Sequence, residues 1–238
     1  MDSNPVLILT HNCLALTKKC VESVRAQDIS TVIHIIDNDS TDGTWEWVEN
    51  ENFAAHCLYR PQIGVSAGWN HGLTDAFLYF EHVLVLNNDT ILPPWFYRSL
   101  LAYNEPFVTG ASVREMDSIS EPQPRKELAP CPDFSAFLIR REAWEKIGPF
   151  DENFVHYCGD MDYHIRAHRV GIRLWNSGVH FYHERSSTLK NAMPEERRAI
   201  QIQADSDRAI FKQKWRVGAN DPAYANLFSE ETFGIDAK

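Results

Sequence analysis

Short unbroken apolar runs alternate with stretches of helical spacing along the first half of the chain. Val6 to Thr10 (VLILT) is such a run, as expected of a strand buried on both faces of a mostly parallel sheet. Leu14 to Gln27 then places Leu16, Cys20, Val21 and Val24 on one side of a predicted helix. Val32 to Ile36 is a second apolar run, ending at Asp37-Asn38-Asp39. Thr41-Asp42-Gly43-Thr44 predicts a turn and helix start, with Trp45 to Glu49 continuing as helix. Leu58-Tyr59 reads as a weak third strand. Gly64 to Phe80 opens with small residues and becomes a helix carrying Leu73, Phe77 and Phe80. Val83 to Leu86 is the clearest buried strand and runs straight into Asn87-Asn88-Asp89. Pro93-Pro94 then suits the first turn of another helix.

Alternation of this kind predicts an α/β fold with a doubly wound, mostly parallel sheet. Ligands of such sheets bind beyond the carboxyl ends of the strands. Thr10-His11-Asn12, Asp37-Asn38-Asp39 and Asn87-Asn88-Asp89 are therefore expected along one edge. The second half is less regular. Phe107 to Val113 and Phe134 to Ile139 read as strands, and the charged, proline-rich 115–132 segment reads as a loop. A short helix is predicted around Arg141 to Lys146 and another over Asp160 to Val170. Ile172 to Trp175 and Val179 to Tyr182 read as two separate strands. Glu195 to Trp215 has the spacing of a mostly polar helix, touching its neighbours through Ile200, Ala204, Ile210 and Phe211.

Composition narrows the class. The chain has 238 residues, 44% hydrophobic and 24% charged, which is ordinary for a globular protein with a sizeable core. With 33 acidic against 23 basic residues, a net charge of -10 disfavours a broad phosphate-backbone binding face. Cys13, Cys20, Cys57, Cys131 and Cys158 are scattered without C-x-x-C spacing, and the N-terminus has no signal-peptide pattern. Reduced thiols and a cytoplasmic setting are the expectation. No apolar run approaches the roughly 20 residues needed to span a bilayer.

Five clusters carry candidate chemistry. Asp89, at a strand end, has the chemistry to hold a divalent cation that neutralises a diphosphate, although Asn87-Asn88-Asp89 also suits a plain helix-entry turn. Asp37 is placed to accept hydrogen bonds from a base or ribose, whereas Asp39 and Ser40 suit capping of the next turn. Gly64 and Gly68 lack side chains at two points open to the approach of a ligand, and the Gly64-to-Asn70 loop opens a helix whose N–H groups suit a diphosphate or sugar. A tight turn explains those glycines equally well. Asp160 is placed either to cap a helix or to take a proton from an attacking hydroxyl. Asp162 and Arg166, four residues apart, predict a surface ion pair. His180 and His183 precede a Ser/Arg/Lys stretch, including Arg185 and ending at Lys190, with the character of a cationic flap over a departing nucleoside diphosphate.

The order of these segments resembles the family-2 glycosyltransferases with a GT-A fold, especially the rhamnosyltransferase-like branch. The matching stretches are LTHNCLALTKKCVESV, IIDNDSTDGT, GVSAGWNHGL, VLVLNNDT, FLIRREAWEKIGPFDENF, GDMDYHIRAHRVGIRLW and HFYHERSST. They run from the first strand to about residue 188. The resemblance implies one GT-A domain over 1–238. Within it, 1–90 would be a nucleotide-sugar-binding half, 91–190 a smaller mixed acceptor and catalytic half, and 191–238 a C-terminal helical extension. It further implies that Thr10 and Asn12 line the nucleotide pocket and that Asp37 contacts the base. Asp39, Gly64, Gly68, Asn70, Asn88 and Arg185 would complete the donor site. Asp89 falls on the metal-binding acid of the family's D-x-D motif, with Asn87 in place of its first acid. Asp160 falls on the catalytic base, with Gly159 replacing the Glu of the family's Glu-Asp motif. His183 matches the histidine that often completes the metal site, and His180 is a weaker candidate.

The implied reaction is a single displacement with inversion, helped by Mn²⁺ or Mg²⁺. A UDP-sugar is the favoured donor, with GDP and dTDP sugars also open. The expected acceptor is a glycan or lipid-linked sugar. A hydroxylated DNA base stays open, since a flipped base needs only a local groove. Two other classes compete. A sugar nucleotidyltransferase would carry a Gly-rich, basic loop after the first strand, where this chain has His11-Asn12-Cys13-Leu14. A non-catalytic sugar- or nucleotide-binding module is favoured by Gly159 and opposed by Asp89, Asp160 and His183.

Overall fold

The computed structural model describes residues 4–120, 126–128, 132–184 and 193–235. Four parallel strands form its centre. β1 (Asn4–Thr10) lies between β2 (Thr31–Asp37) and β4 (His82–Asn87), and β3 (Ala55–Leu58) pairs with β2 at the edge. Beyond β4 the sheet becomes mixed. β8 (Ala136–Arg140) runs antiparallel to β4 and to β6 (Phe107–Val113), and β9 (Trp175–His183) runs parallel to β6. Two-residue strands β5 (Thr90–Ile91) and β7 (Lys126–Glu127) flank β9. The expected α/β architecture, a parallel core with a smaller mixed region and a C-terminal helix, is therefore present.

The apolar run of β1 explains the layering. Alternate side chains point to opposite faces of a strand. Val6 and Ile8 join the cluster under α1 (Leu14–Arg25) and α4 (Phe96–Leu101), with Val21, Val24, Phe96 and Tyr97. Leu7 and Leu9 join the opposite cluster under α3 (Val65–Ala76), α5 (Arg141–Ile147) and α6 (Gly159–Arg169), with Trp69, Leu73 and Tyr163. Each such aliphatic chain contributes about 1.5–3 kcal/mol on burial. Covering both faces requires a continuous rather than an alternating apolar pattern.

A third cluster seats the C-terminal helix α7 (Pro194–Trp215) against α6, through Phe154, Ile165, Phe211 and Trp215. Asp162, expected in a surface pair, is wholly buried at this junction. It meets Arg166 at 2.8 Å and Lys214 at 2.6 Å, and accepts a hydrogen bond from Trp215 Nε1 at 3.0 Å. A buried carboxylate persists only when paired and hydrogen-bonded, and here α7 supplies both partners that α6 lacks.

Other departures are local. Of the strands expected over Ile172 to Trp175 and Val179 to Tyr182, the first does not form except at its last residue: a single strand, β9, starts at Trp175 and runs to His183. Gly178 lies inside it at φ 71°, and the pairing with β6 shifts register between Thr109 and Ala111. α3 ends at Ala76 rather than Phe80, and the helix expected from Pro93 begins at Phe96. Cys20, Cys57 and Cys158 are free thiols, and Cys131 lies outside the described residues. No helix among the described residues is long and apolar enough to cross a membrane.

Candidate active site

Two cavities open side by side where β1, β2 and β4 end. The larger, about 290 Å³, is lined by Thr10 and His11 from β1, Asn38 from β2, and Asn87, Asn88 and Asp89 from β4. His183 closes one side, and Glu196 and Ile200 of α7 close another. The smaller, about 180 Å³, holds Asp133, Ser135, Trp69 and Asp160. Val65, Asn87, His156 and Tyr157 border both.

The strand ends are held in place by one another. Asn88 Nδ2 donates to Thr10 Oγ1, Thr17 Oγ1 and the Asn12 carbonyl at 2.9–3.0 Å, so β4, β1 and α1 share one polar knot. Asn12 adopts the left-handed conformation at φ 56°. From there its N–H reaches Ser40 Oγ at 2.7 Å, and its Oδ1 accepts from Thr41 N at 2.8 Å. His11 donates from Nδ1 to the Asn38 carbonyl at 2.7 Å, and its Nε2 lies 3.3 Å from Asn12 Nδ2 and 3.4 Å from Glu196 Oε1.

Asp37 is wholly buried behind this edge rather than in the cavity lining. Its Oδ1 accepts from Ser40 N at 2.8 Å, and its Oδ2 has no hydrogen-bond partner among the described residues. Burial raises the carboxyl above the usual range, partly offset by the Ser40 donors. Asp39 stands at φ 69°, with Arg60 Nε 3.8 Å from its carboxylate, in keeping with a turn role.

Gly64 and Gly68 turn out to be points of protein approach. A Cβ on Gly64, at φ 86°, would lie 2.7 Å from Val155, and one on Gly68 would lie 2.6 Å from Leu9. The glycines let the Val155 strap and β1 come close, so the space expected for a ligand there is filled by protein. Asn70 is likewise committed: its amide pairs with the Phe150 backbone at 2.8 and 2.9 Å and with Glu152 at 2.9 Å. It fixes the loop leading into α6 and does not line either cavity.

Asp89 and His183 meet because Thr90 of β5 pairs in register with His183 of β9. His183 Nε2 lies 3.2 Å from Asp89 Oδ1, both side chains being about nine-tenths buried. On the other side of the ring, Nδ1 lies 3.0 Å from Ser135 Oγ and 3.8 Å from Asp133 Oδ2. Burial alone would lower the His183 pKa, but Asp133 and Asp89 outweigh it and lift the ring to about 9. Burial would raise Asp133, yet hydrogen bonds from His183, Ser135 and Ser112 hold it well below the usual carboxylate range. His180 points elsewhere, its Nδ1 3.2 Å from Ser120 Oγ.

Asp160 lies in the first turn of α6 and accepts from Met161 N at 2.8 Å. The cap position belongs to Cys158, so the capping alternative for Asp160 does not hold. Burial lifts the Asp160 carboxyl to about 6, with Met161 N–H opposing the rise and the Asp133 charge adding to it. Gly159, where the family has Glu, abuts α3: a Cβ there would lie 2.7 Å from Ser66 Oγ. Arg185 and the expected cationic flap lie outside the described residues.

Asp133, Ser135, His156, Tyr157 and Glu196 were not expected from the sequence. β8 runs antiparallel to β4, so its entry rather than its exit faces the site, as the 2.9 Å bond from Asn87 N to the Ser135 carbonyl shows. A search of strand exits passes over it, although an acid directly before the buried FSAFLI strand was a readable signal.

The profile of the family described as "Glycosyl transferase family 2" matches residues 6–156, more than half the chain. The chain belongs to this family. No curated protein matches it. Among solved structures, the mannosyltransferase PcManGT from Pyrobaculum calidifontis, in complex with GDP-Man and Mn²⁺, is 19% identical with a TM-score of 0.62. That match covers 96% of this chain and 68% of that one. GalNAc-T7 with UDP, GalNAc and Mn²⁺ is 12% identical with a TM-score of 0.63, over 76% of this chain and 43% of that one. Glucosyl-3-phosphoglycerate synthase from Mycobacterium tuberculosis, with Mn²⁺, UDP and glucosyl-3-phosphoglycerate, is 16% identical with a TM-score of 0.57, over 90% of this chain and 79% of that one. These likenesses show a shared GT-A fold, and the chain spans less than half the length of GalNAc-T7.

Proposed function

We propose that the protein transfers a sugar, of hexose type, from a nucleotide-sugar donor to an acceptor hydroxyl with inversion at the anomeric carbon. One observation carries this reading. The cavity with Asp89 and His183 and the cavity with Asp160 share a wall at a single sheet edge. The larger takes the nucleoside diphosphate and the smaller brings the acceptor to the base.

Asp160 removes the proton of the acceptor hydroxyl as its oxygen attacks the anomeric carbon and the bond to the diphosphate breaks. Its raised pKa suits a base acting near neutral pH, and partial burial strengthens its grip on the hydroxyl. Thr10, His11 and Asn38 line the nucleotide end of the larger cavity, and Asn88 keeps that end in register.

Asp89 and His183 are an oxygen and a nitrogen donor of the kind Mn²⁺ and, less readily, Mg²⁺ accept. Among the described residues no three His, Cys, Asp or Glu side chains are grouped to hold an ion unaided. The pair therefore fits an ion shared with the diphosphate. When bound, that ion offsets the charge developing on the leaving group. The solved relatives described with Mn²⁺ and UDP or GDP-Man support this choice.

UDP is the favoured nucleotide, with GDP and dTDP as competitors, and a glycan or lipid-linked sugar is the favoured acceptor, as in a rhamnosyltransferase-like enzyme. A thermal-shift screen of UDP, GDP and dTDP with and without Mn²⁺ tests the donor site. At 100 times Kd a nucleotide should stabilise the fold by about 2.7 kcal/mol. EDTA should abolish transfer to an acceptor mixture and Mn²⁺ should restore it. Full transfer in chelator would remove the metal from the mechanism, and no shift with any nucleotide would remove the donor site.

A further inference from the structure

We propose that Ser135 and Asp133 are positioning residues that fix which ring nitrogen of His183 is free to face Asp89. The proposal rests on the reading of Asp89 and His183 as the pair that holds the cation. A neutral imidazole carries one N–H and one lone pair, and only the lone pair can ligate. Nε2 is the nitrogen on the Asp89 side, 3.2 Å from Oδ1. For Nε2 to be the ligand, the hydrogen must stay on Nδ1.

The loop entering β8 arranges this. Asp133 Oδ1 accepts the Ser135 N–H at 3.0 Å and also the Ser135 hydroxyl proton. Ser112 Oγ donates to Asp133 Oδ2 at 2.7 Å and holds the carboxylate from the neighbouring strand. A serine hydroxyl has one proton, and here the carboxylate takes it. What Ser135 Oγ then presents to His183 Nδ1, at 3.0 Å, is a lone pair. Asp133 Oδ2, 3.8 Å from the same nitrogen, is an acceptor too. Both groups described facing Nδ1 accept, so when a cation takes the place of a hydrogen between Nε2 and Asp89, the ring's one hydrogen is held on Nδ1 and Nε2 is the ligating nitrogen.

Ligating histidines are generally oriented by a partner on their second nitrogen, and loss of that partner weakens metal affinity about 10–100-fold. In this chain Asn87 replaces an acid at the other end of the motif, so the cation depends more heavily on a correctly presented His183. The hydroxyl relay comes from β8, an element that contributes no ligand itself.

The test is Mn²⁺ binding in the presence of UDP, followed by electron paramagnetic resonance or calorimetry. It compares the full chain with Ser135→Ala, Ser135→Thr, Asp133→Asn and His183→Ala. Ser135→Ala and Asp133→Asn should each weaken Mn²⁺ about 10–100-fold, while Ser135→Thr keeps the hydroxyl and stays near wild type. Ring ¹⁵N shifts of His183, recorded with UDP and diamagnetic Mg²⁺ bound, should report hydrogen on Nδ1 in wild type and a mixture in Ser135→Ala. If His183→Ala weakens Mn²⁺ but Ser135→Ala and Asp133→Asn do not, the positioning role is overturned and the metal pair stands. If His183→Ala binds Mn²⁺ as wild type does, the metal pair falls and the proposal falls with it.

Discussion

Asp160 sits under opposing demands. Its carboxyl is raised to about 6 by burial, so the native state holds its proton to higher pH than the unfolded chain does. Between the ordinary carboxylate pKa and about 6, the folded state binds more protons, and stability therefore falls as pH rises through that window. Asp160→Asn should raise Tm at pH 7.5 relative to wild type, and the difference should vanish near pH 3.5. The same change should lower kcat by about 10²–10⁴-fold with the UDP affinity little altered. Near-wild-type turnover would remove Asp160 as the base. In wild type, transfer should decline about tenfold per pH unit below 6. Gly159 sets a second residue-scale test, because a Cβ there meets Ser66 Oγ. Gly159→Ala should lower Tm, and Ser66→Ala added to it should recover most of the loss. The departure from the family's Glu at this position was readable in the sequence, but its reason was not, since Ser66 lies more than ninety positions away. Gly64 and Gly68 were ambiguous in the same way: a missing side chain signals close approach without saying by what.

At the scale of elements, the parallel strands and their exits were legible because burial on both faces demands continuous apolar runs. The mixed half was less so. β9 contains Gly178 and Ser177, which interrupt its apolar pattern, and its pairing with β6 through Ser177 Oγ and the Thr109 carbonyl at 2.9 Å is a tertiary fact. α7 read as a polar helix, and its most consequential residue is polar. Asp207, wholly buried, accepts backbone N–H groups of Val155, His156 and Tyr157 at 2.8–3.3 Å. It thus holds the strap that walls both cavities. Removing such an acceptor strands buried donors at about 1–3 kcal/mol each. Asp207→Ala should lower Tm and speed hydrogen exchange at the 155–157 amides, with a rise in KM for donor. Unchanged exchange there would mean the strap is held by its apolar neighbours instead.

Across the whole molecule, one sheet runs from β3 to β5, so no hinge in the sheet separates the two halves of the cleft. What lies between the cavities is the pair His156 and Tyr157, with Val65 and Asn87 below. Two ligands that share one wall are coupled whenever either of them moves it. The free energy by which the nucleotide's setting of that wall changes the acceptor's affinity must equal the one by which the acceptor changes the nucleotide's. UDP should therefore change the acceptor's Kd by the same factor that the acceptor changes the Kd of UDP, measurable by calorimetry in both orders of addition. A factor of one would mean the wall is already set before either arrives. Any other value makes the shared strap an energetic link between the two sites, carried by a partition only a few side chains thick.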